Sequence, residues 1–163
     1  MRKWLGIMFM SLVLGWPMVS SAVELGGGYA VDVPEGWVAK TFPGSPYNGL
    51  FGTTSSEGFT PNINIQEEPN TSPMDEYVKL NLDQLEQIMK AVKVSQDPFS
   101  AKNVEGVKLV THTQFQELKL RQIFYFFDNS AGQKVVVTAT ASRQSDGKMD
   151  SAFDKIMNTF KVK

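Results

Sequence analysis

The stretch from Gly106 to Ser142 constrains the fold most. It reads GVKLVTHTQFQ, LKLRQIFYFFD and GQKVVVTATAS, three runs rich in Val, Ile, Thr, Phe and Tyr. Such side chains suit a pleated, half-buried surface, so the spacing predicts three strands joined by hairpins. Asp128-Asn129-Ser130-Ala131-Gly132 supplies turn chemistry for one of them. Side chains alternate along a strand, which puts Ile123, Tyr125 and Phe127 on one face of the middle run and Phe124 and Phe126 on the other. A strand apolar on both faces belongs inside a sheet that is covered on both sides.

The chain opens with Arg2 and Lys3, a short apolar run from Trp4 to Leu14, and Ser20 and Ala22 placed as the small residues of a cleavage site. This pattern predicts a secretory signal peptide over residues 1–22, with Pro17 and the shortness of the run arguing against a membrane anchor. The expected mature unit, residues 23–163, is of single-domain length and belongs in the periplasm or outside the cell, with no membrane span after cleavage. There are no cysteines, so an exported form must hold together by burial alone. The 16 basic and 17 acidic residues include no basic cluster, which argues against nucleic acid and anionic membrane surfaces as partners.

Before the strand block, Val23 to Gly28 reads as a flexible lead-in, with three glycines against which nothing need pack. Tyr29 to Val33 and Trp37 to Phe42 read as strands around the turn Pro34-Glu35-Gly36, with Val38, Lys40 and Phe42 on one face. Leu50 to Thr54 and Thr60 to Glu67 follow as strands. A helix begins at Ser72-Pro73, with Ser72 as N-cap, Asp75 and Glu76 complementing the dipole, and an apolar face from Met74 through Tyr77, Val78, Leu82, Leu85, Ile88 and Met89 to Val92. Asp75–Lys79 and Glu86–Lys90 are spaced to pair across one turn. Lys93 to Asn103, broken by Asp97-Pro98, suits an edge strand or an irregular crossing. A second helix is expected from about Gly147 to Phe160, packed close over Ala139 and Ala141. Strands, helix, strands, helix in this order give an α+β fold: one domain, an antiparallel sheet with helices laid on it.

No chemistry-bearing motif stands out. His112, the one histidine, lacks a second histidine or any cysteine to build a metal or catalytic site and reads as structural. Asp146, Asp150 and Asp154 recur every four residues, which reads as a solvated helix face rather than a cation site. Glu67 and Glu68 face opposite ways on a strand and cannot act together. Asn70-Thr71-Ser72 is a glycosylation acceptor only in a eukaryotic secretory path. We therefore expect no catalysis, no cofactor and no bound metal. By exclusion, the candidate contact site is the aromatic, Gly/Pro-rich region of Trp37, Phe42, Tyr47, Phe51 and Phe59, and in particular Trp37, Phe42, Tyr47 and Phe51.

Several strings carry a family resemblance. Pro34-Glu35-Gly36-Trp37 closes a first hairpin, Pro61-Asn62-Ile63-Asn64-Ile65 precedes the long helix, and Phe153-Asp154-Lys155-Ile156 runs on to Phe160-Lys161 in a terminal helix. Together they resemble the PsbP-like superfamily and, within it, the bacterial DcrB-like envelope proteins. The resemblance implies an antiparallel sheet sandwiched by helices and a role as a non-catalytic accessory protein. Its members include photosystem II extrinsic subunits, a Ran-binding nuclear-import factor and envelope proteins linked to phage entry, and they share no catalytic residues to carry over. The chain lacks the lipid-attachment cysteine of DcrB-like proteins, which implies a soluble form, and the long N-terminal arm of photosystem subunits. Two functions follow as expectations: an envelope accessory protein acting by protein contact around Pro43 to Phe51, or a carrier of a small apolar ligand in a pocket between sheet and helix.

Overall fold

Residue 62 lies beside residue 140 in the folded chain, and that pairing makes one sheet out of two halves. The computed structural model describes residues 21–56, 58–145 and 147–162. Most of the expected signal peptide and Asp146 lie outside the described residues. Seven strands form an antiparallel sheet: β3 (Val38–Thr41), β4 (Asn48–Phe51), β5 (Asn62–Glu68), β6 (Val92–Ser100), β7 (Glu105–Phe115), β8 (Leu118–Asp128) and β9 (Lys134–Ser142). Their spatial order is β3-β4-β5-β9-β8-β7-β6. Helix α1 (Met74–Met89) leads from β5 to β6 at the far edge, and β9 returns to close the gap between β5 and β8. A separate hairpin, β1 (Ser21–Gly26) with β2 (Tyr29–Val33), and helix α2 (Asp150–Met157) complete the chain.

The two-faced strand does what its alternation demands. Ile123, Tyr125 and Phe127 join the larger core, with Leu25, Val31, Phe153, Ile156 and Phe160 from the β1–β2 hairpin and the C-terminal segment. Phe124 and Phe126 join a second core beneath α1, with Tyr77, Val78, Leu109 and Val136. Tyr125, Phe126 and Phe127 are fully buried. Ala139 and Ala141 sit in the larger core with Phe153, Ile156 and Met157, where their small side chains let α2 lie close to the sheet. The fold is thus α+β, an antiparallel sheet covered by α1 on one face and by α2 with a hairpin on the other.

Five expectations are corrected. Residues 23–28 are not a slack lead-in: β1 pairs with β2 from Ser21↔Val33 to Gly26↔Tyr29, and Leu25 is 1% exposed. The glycines are needed there, since Gly26, Gly27 and Gly28 all have positive φ and a Cβ on Gly26 would stand 2.2 Å from the Pro46 carbonyl oxygen. Ser72 is not the N-cap. Pro73 holds that position, and the Ser72 hydroxyl donates to Asn70 Oδ1 instead (2.7 Å). The helix ends early, because Lys90 takes a left-handed conformation (φ 49°) and donates its N–H to the Leu85 carbonyl. Val92 therefore starts β6, and Ile88, past the point where the helix rests on the sheet, is 80% exposed. Finally, Lys79 pairs with Asp83 (3.1 Å), and neither of the two expected helix pairs forms among the described residues. The second helix is shorter than expected and spans Asp150–Met157. Lys93 to Asn103 resolves as the edge strand β6, where Pro98 is tolerated.

Candidate functional site

The four aromatics singled out by sequence do not form one cluster. Leu50 is fully buried in the larger core, so its neighbour Phe51 faces the other way, onto the α1 side of the sheet. Phe51 pairs with Val38 across the strands, and the same parity brings Lys40 and Phe42 alongside. The Phe42 and Phe51 rings meet edge to face, centroids 6.0 Å apart, and the Lys40 ammonium stands 4.8 Å over the Phe51 ring. Gly49 permits this closure, since a Cβ there would lie 2.8 Å from the Phe42 ring. Trp37 and Tyr47 belong to the opposite face. Trp37 stands edge to face with Phe153, and Tyr47 packs at 6.4 Å against Tyr29 over the larger core.

The Phe42–Phe51 corner stays open because α1 does not reach it. That helix packs its buried Tyr77 and Val78 over β7, β8 and β9 and reaches Glu68 at the end of β5, leaving the β3–β4 side of the same face without a helix. Val38 is 52% exposed and Phe42 41%. Next to them β5 presents Asn62 and Asn64, bonded to each other at 2.9 Å. The result is a small apolar and cationic corner bordered by side-chain amides. Sequence alternation had placed Val38, Lys40 and Phe42 on one face but could not reveal that α1 stops short of them.

A second polar region lies under α2, and here the sequence reading of the aspartates is overturned. Asp150 and Asp154 do not form a solvated face. The Arg121 guanidinium donates to both Asp150 oxygens, at 2.7 Å from one terminal nitrogen, and Lys108 donates to both oxygens of Asp154 at 2.6 and 2.7 Å. The Tyr125 hydroxyl also donates to Asp154 (2.7 Å). Spacing by four puts both carboxylates on the helix side that faces β7 and β8, where the two cations stand half-buried. His112, opposite Arg121 in the ladder, lies with its Nε2 3.0 Å from an Arg121 nitrogen. A guanidinium can only donate, so Nε2 accepts. The histidine is structural, part of the anchorage of α2.

Each glutamate of the adjacent pair serves its own core, as strand alternation requires. Tyr29 donates to Glu67 on one face, and Tyr77 donates to Glu68 (2.6 Å) on the other. Burial foremost, and then the hydrogen bond to Glu67, pushes the Tyr29 phenol up to about 12. Burial likewise raises Tyr47, Tyr77 and Tyr125, the last two assisted by their carboxylate partners. Among the described residues no cluster of three or more His, Asp or Glu side chains is arranged to hold a metal ion, and no helix is long and apolar enough to cross a membrane.

The layout of sheet, helices and hairpin is that of the PsbP-like α+β fold, and the likeness first read from short strings holds at the level of fold. No protein-family model matches the chain, and no curated protein matches it in sequence. Solved structures do. Cyanobacterial PsbP (CyanoP) of Synechocystis sp. PCC 6803 superposes with a TM-score of 0.59 at 12% identity, over 89% of this chain and 94% of its own. LpqN of Mycobacterium tuberculosis, described as involved in cell envelope biogenesis, gives 0.61 at 12% identity, over 86% and 90%. The Ran-binding protein Mog1p of Saccharomyces cerevisiae gives 0.58 at 11%, over 89% and 96%.

Proposed function

We propose that the chain is an exported, non-catalytic accessory protein of the cell envelope, DcrB-like in kind, that works by binding a protein partner through the open corner at β3 and β4. The observation that carries this is the exposed pair Val38 and Phe42 beside Phe51 and Lys40, on a sheet face that α1 leaves bare. Aromatic and apolar anchors next to polar neighbours are the composition of contact surfaces. Trp37 enters as the residue that fastens the start of β3 to the larger core, and Tyr47 as the one that fastens the β3–β4 loop to it. The neighbours in fold support a binding role, since Mog1p is a Ran-binding protein and LpqN is described as involved in envelope biogenesis. Polar side chains near the fold's interior are engaged in structural ion pairs, which favours an accessory role over catalysis. Export fits the architecture as well. Cleavage after Ala22 would remove only two exposed residues of β1 and leave the buried Leu25 in place.

The test is site-specific photo-crosslinking in the native host, with the reactive residue at Phe42 or, as a control that is more exposed still, at Ile88. A discrete protein adduct from position 42 and none from 88 is expected, and the adduct should vanish with Val38→Lys. Adducts of equal yield from both positions, or none from 42, would sink the reading. The alternative of an apolar-ligand carrier with a chamber between sheet and helix has less support. Tyr77, Val78 and Phe126 pack under α1 and Phe153, Ile156 and Met157 under α2, none more than 2% exposed, and the gap that remains between α1 and β5, about 190 Å³, is smaller than the roughly 300–1,000 Å³ of small-molecule sites.

A further inference from the structure

The outer side of α2 carries a feature that the contact surface does not use. An open groove of about 500 Å³ runs between α2 and the end of β2, walled by Asp32 and Pro34 on one side and by Lys148, Ala152, Lys155 and Ile156 on the other. Its helical wall follows from spacing: residues 152, 155 and 156 fall at i, i+3 and i+4 of α2, and Lys148 stands in the turn just before the helix. Thr159 closes the groove at one end, its hydroxyl bonded to the Asp32 N–H (2.8 Å) and the Ile156 carbonyl (2.6 Å), which ties the two walls together. The floor is apolar, and the volume lies within the roughly 300–1,000 Å³ typical of small-molecule sites.

The charges along this groove are unbalanced for a stated reason. The acids of α2 turn to the opposite side of the helix, where Asp150 is held by Arg121 and Asp154 by Lys108. They cannot neutralise Lys148 and Lys155, which are exposed and make no ion pair among the described residues. Among the described residues Asp32 is the one acid lining the groove, against two ammonium groups, and it too has no salt bridge there. An apolar trough rimmed, among the described residues, by two cations outside any ion pair and one anion complements a molecule with a single negative head and an apolar body. A neutral chain would leave the ammonium groups unused, and a small bare anion would leave the floor wet. We propose that this groove binds an amphipathic carboxylate, a medium-chain fatty acid in chemical class, with its head between Lys148 and Lys155 and its chain along Pro34 and Ala152. The site is separate from the β3–β4 corner, so either can stand without the other.

The probe is sodium dodecanoate below its micelle concentration, titrated into the purified, ¹⁵N-labelled protein. Saturable shifts of the Ala152, Lys155 and Thr159 amides are expected, together with about tenfold weaker binding in the K148Q/K155Q variant, the effect of two exposed charge contacts of modest strength each. Both lysines are exposed, so the variant should keep the parent melting temperature, and Ala152→Phe supplies an independent block by filling the trough. Dodecanol and acetate separate the two requirements, and each should bind at least tenfold more weakly than dodecanoate. Dodecanol binding as tightly as dodecanoate, shifts centred on Phe42 and Phe51, or no saturation at all would each overturn the assignment.

Discussion

Asp154→Asn tests the anchorage of α2 directly. The substitution keeps the size of the side chain and an oxygen that can still accept from Tyr125, but it removes the charge that two bonds from Lys108 now serve. Removing one member of a fully buried ion pair costs about 3–5 kcal/mol, because the other charge is left without a partner. Lys108 is 15% exposed and Asp154 32%, so water recovers part of that loss and about 2–3 kcal/mol is expected. For a domain of this size the melting temperature should fall by roughly 8–10 °C. Lys108→Met alone should cost less, about 1–2 kcal/mol, since Asp154 is the more exposed partner and keeps its bond from Tyr125. The double variant then carries the argument. With both charges gone it should be more stable than the sum of the single losses by about 1.5 kcal/mol, measured by urea unfolding of all four proteins in a double-mutant cycle. Additive losses, or a loss below about 0.5 kcal/mol for Asp154→Asn, would refute the reasoning and return α2's acidic side to solvent.

Three further outcomes are expected. All four tyrosines are raised above their ordinary value of 10.0, so an absorbance titration at pH 10.5 should find far less tyrosinate in the native protein than in urea. Because the folded protein holds those protons longer, stability is complete below pH 10 and declines as pH climbs toward the Tyr29 value of about 12. Half-ionised tyrosines at pH 10 in a still-folded protein would contradict the burial. Gly106→Ala should destabilise by more than about 2 kcal/mol in thermal unfolding, since its Cβ would stand 2.2 Å from the Phe126 carbonyl oxygen and 2.6 Å from the Phe127 ring. Ile88→Lys, on the 80% exposed turn of α1, should change stability by no more than about 0.5 kcal/mol, whereas Val78→Ala should cost about 2 kcal/mol or more.

The legible parts of this structure were those that a short period can encode. The two-faced pattern of Ile123 to Phe127 announced an interior strand with cover on both sides, and the opposed glutamates 67 and 68 obeyed the same alternation. The illegible parts depend on where one element meets another. Lys90 ends α1 in a left-handed conformation without the glycine that would have marked the place. The aspartates of α2 read as a wet stripe because the cations that bind them, Lys108 and Arg121, lie on strands far away in sequence. The four aromatics grouped by sequence fall on two faces of the sheet. Phe42 and Phe51 share an open corner, but Trp37 and Tyr47 face the other core, a separation decided by Leu50 pointing inward.

The insertion of β9 between β5 and β8 also sets a timetable. β6, β7, β8 and β9 succeed one another through short turns and can zip together as a meander, each pairing local. β5 must wait with one side bare until residues 134–140 arrive to pair with 62–68. Closing so long a loop is slow compared with hairpin formation. During that interval the chain presents Ile63 and Ile65, both destined for the core, on an unpaired edge. A nascent chain that leaves the ribosome N-terminus first therefore exposes this strand edge before the segment that covers it exists. Holding β5 apart until the final strand emerges is a task suited to a chaperone.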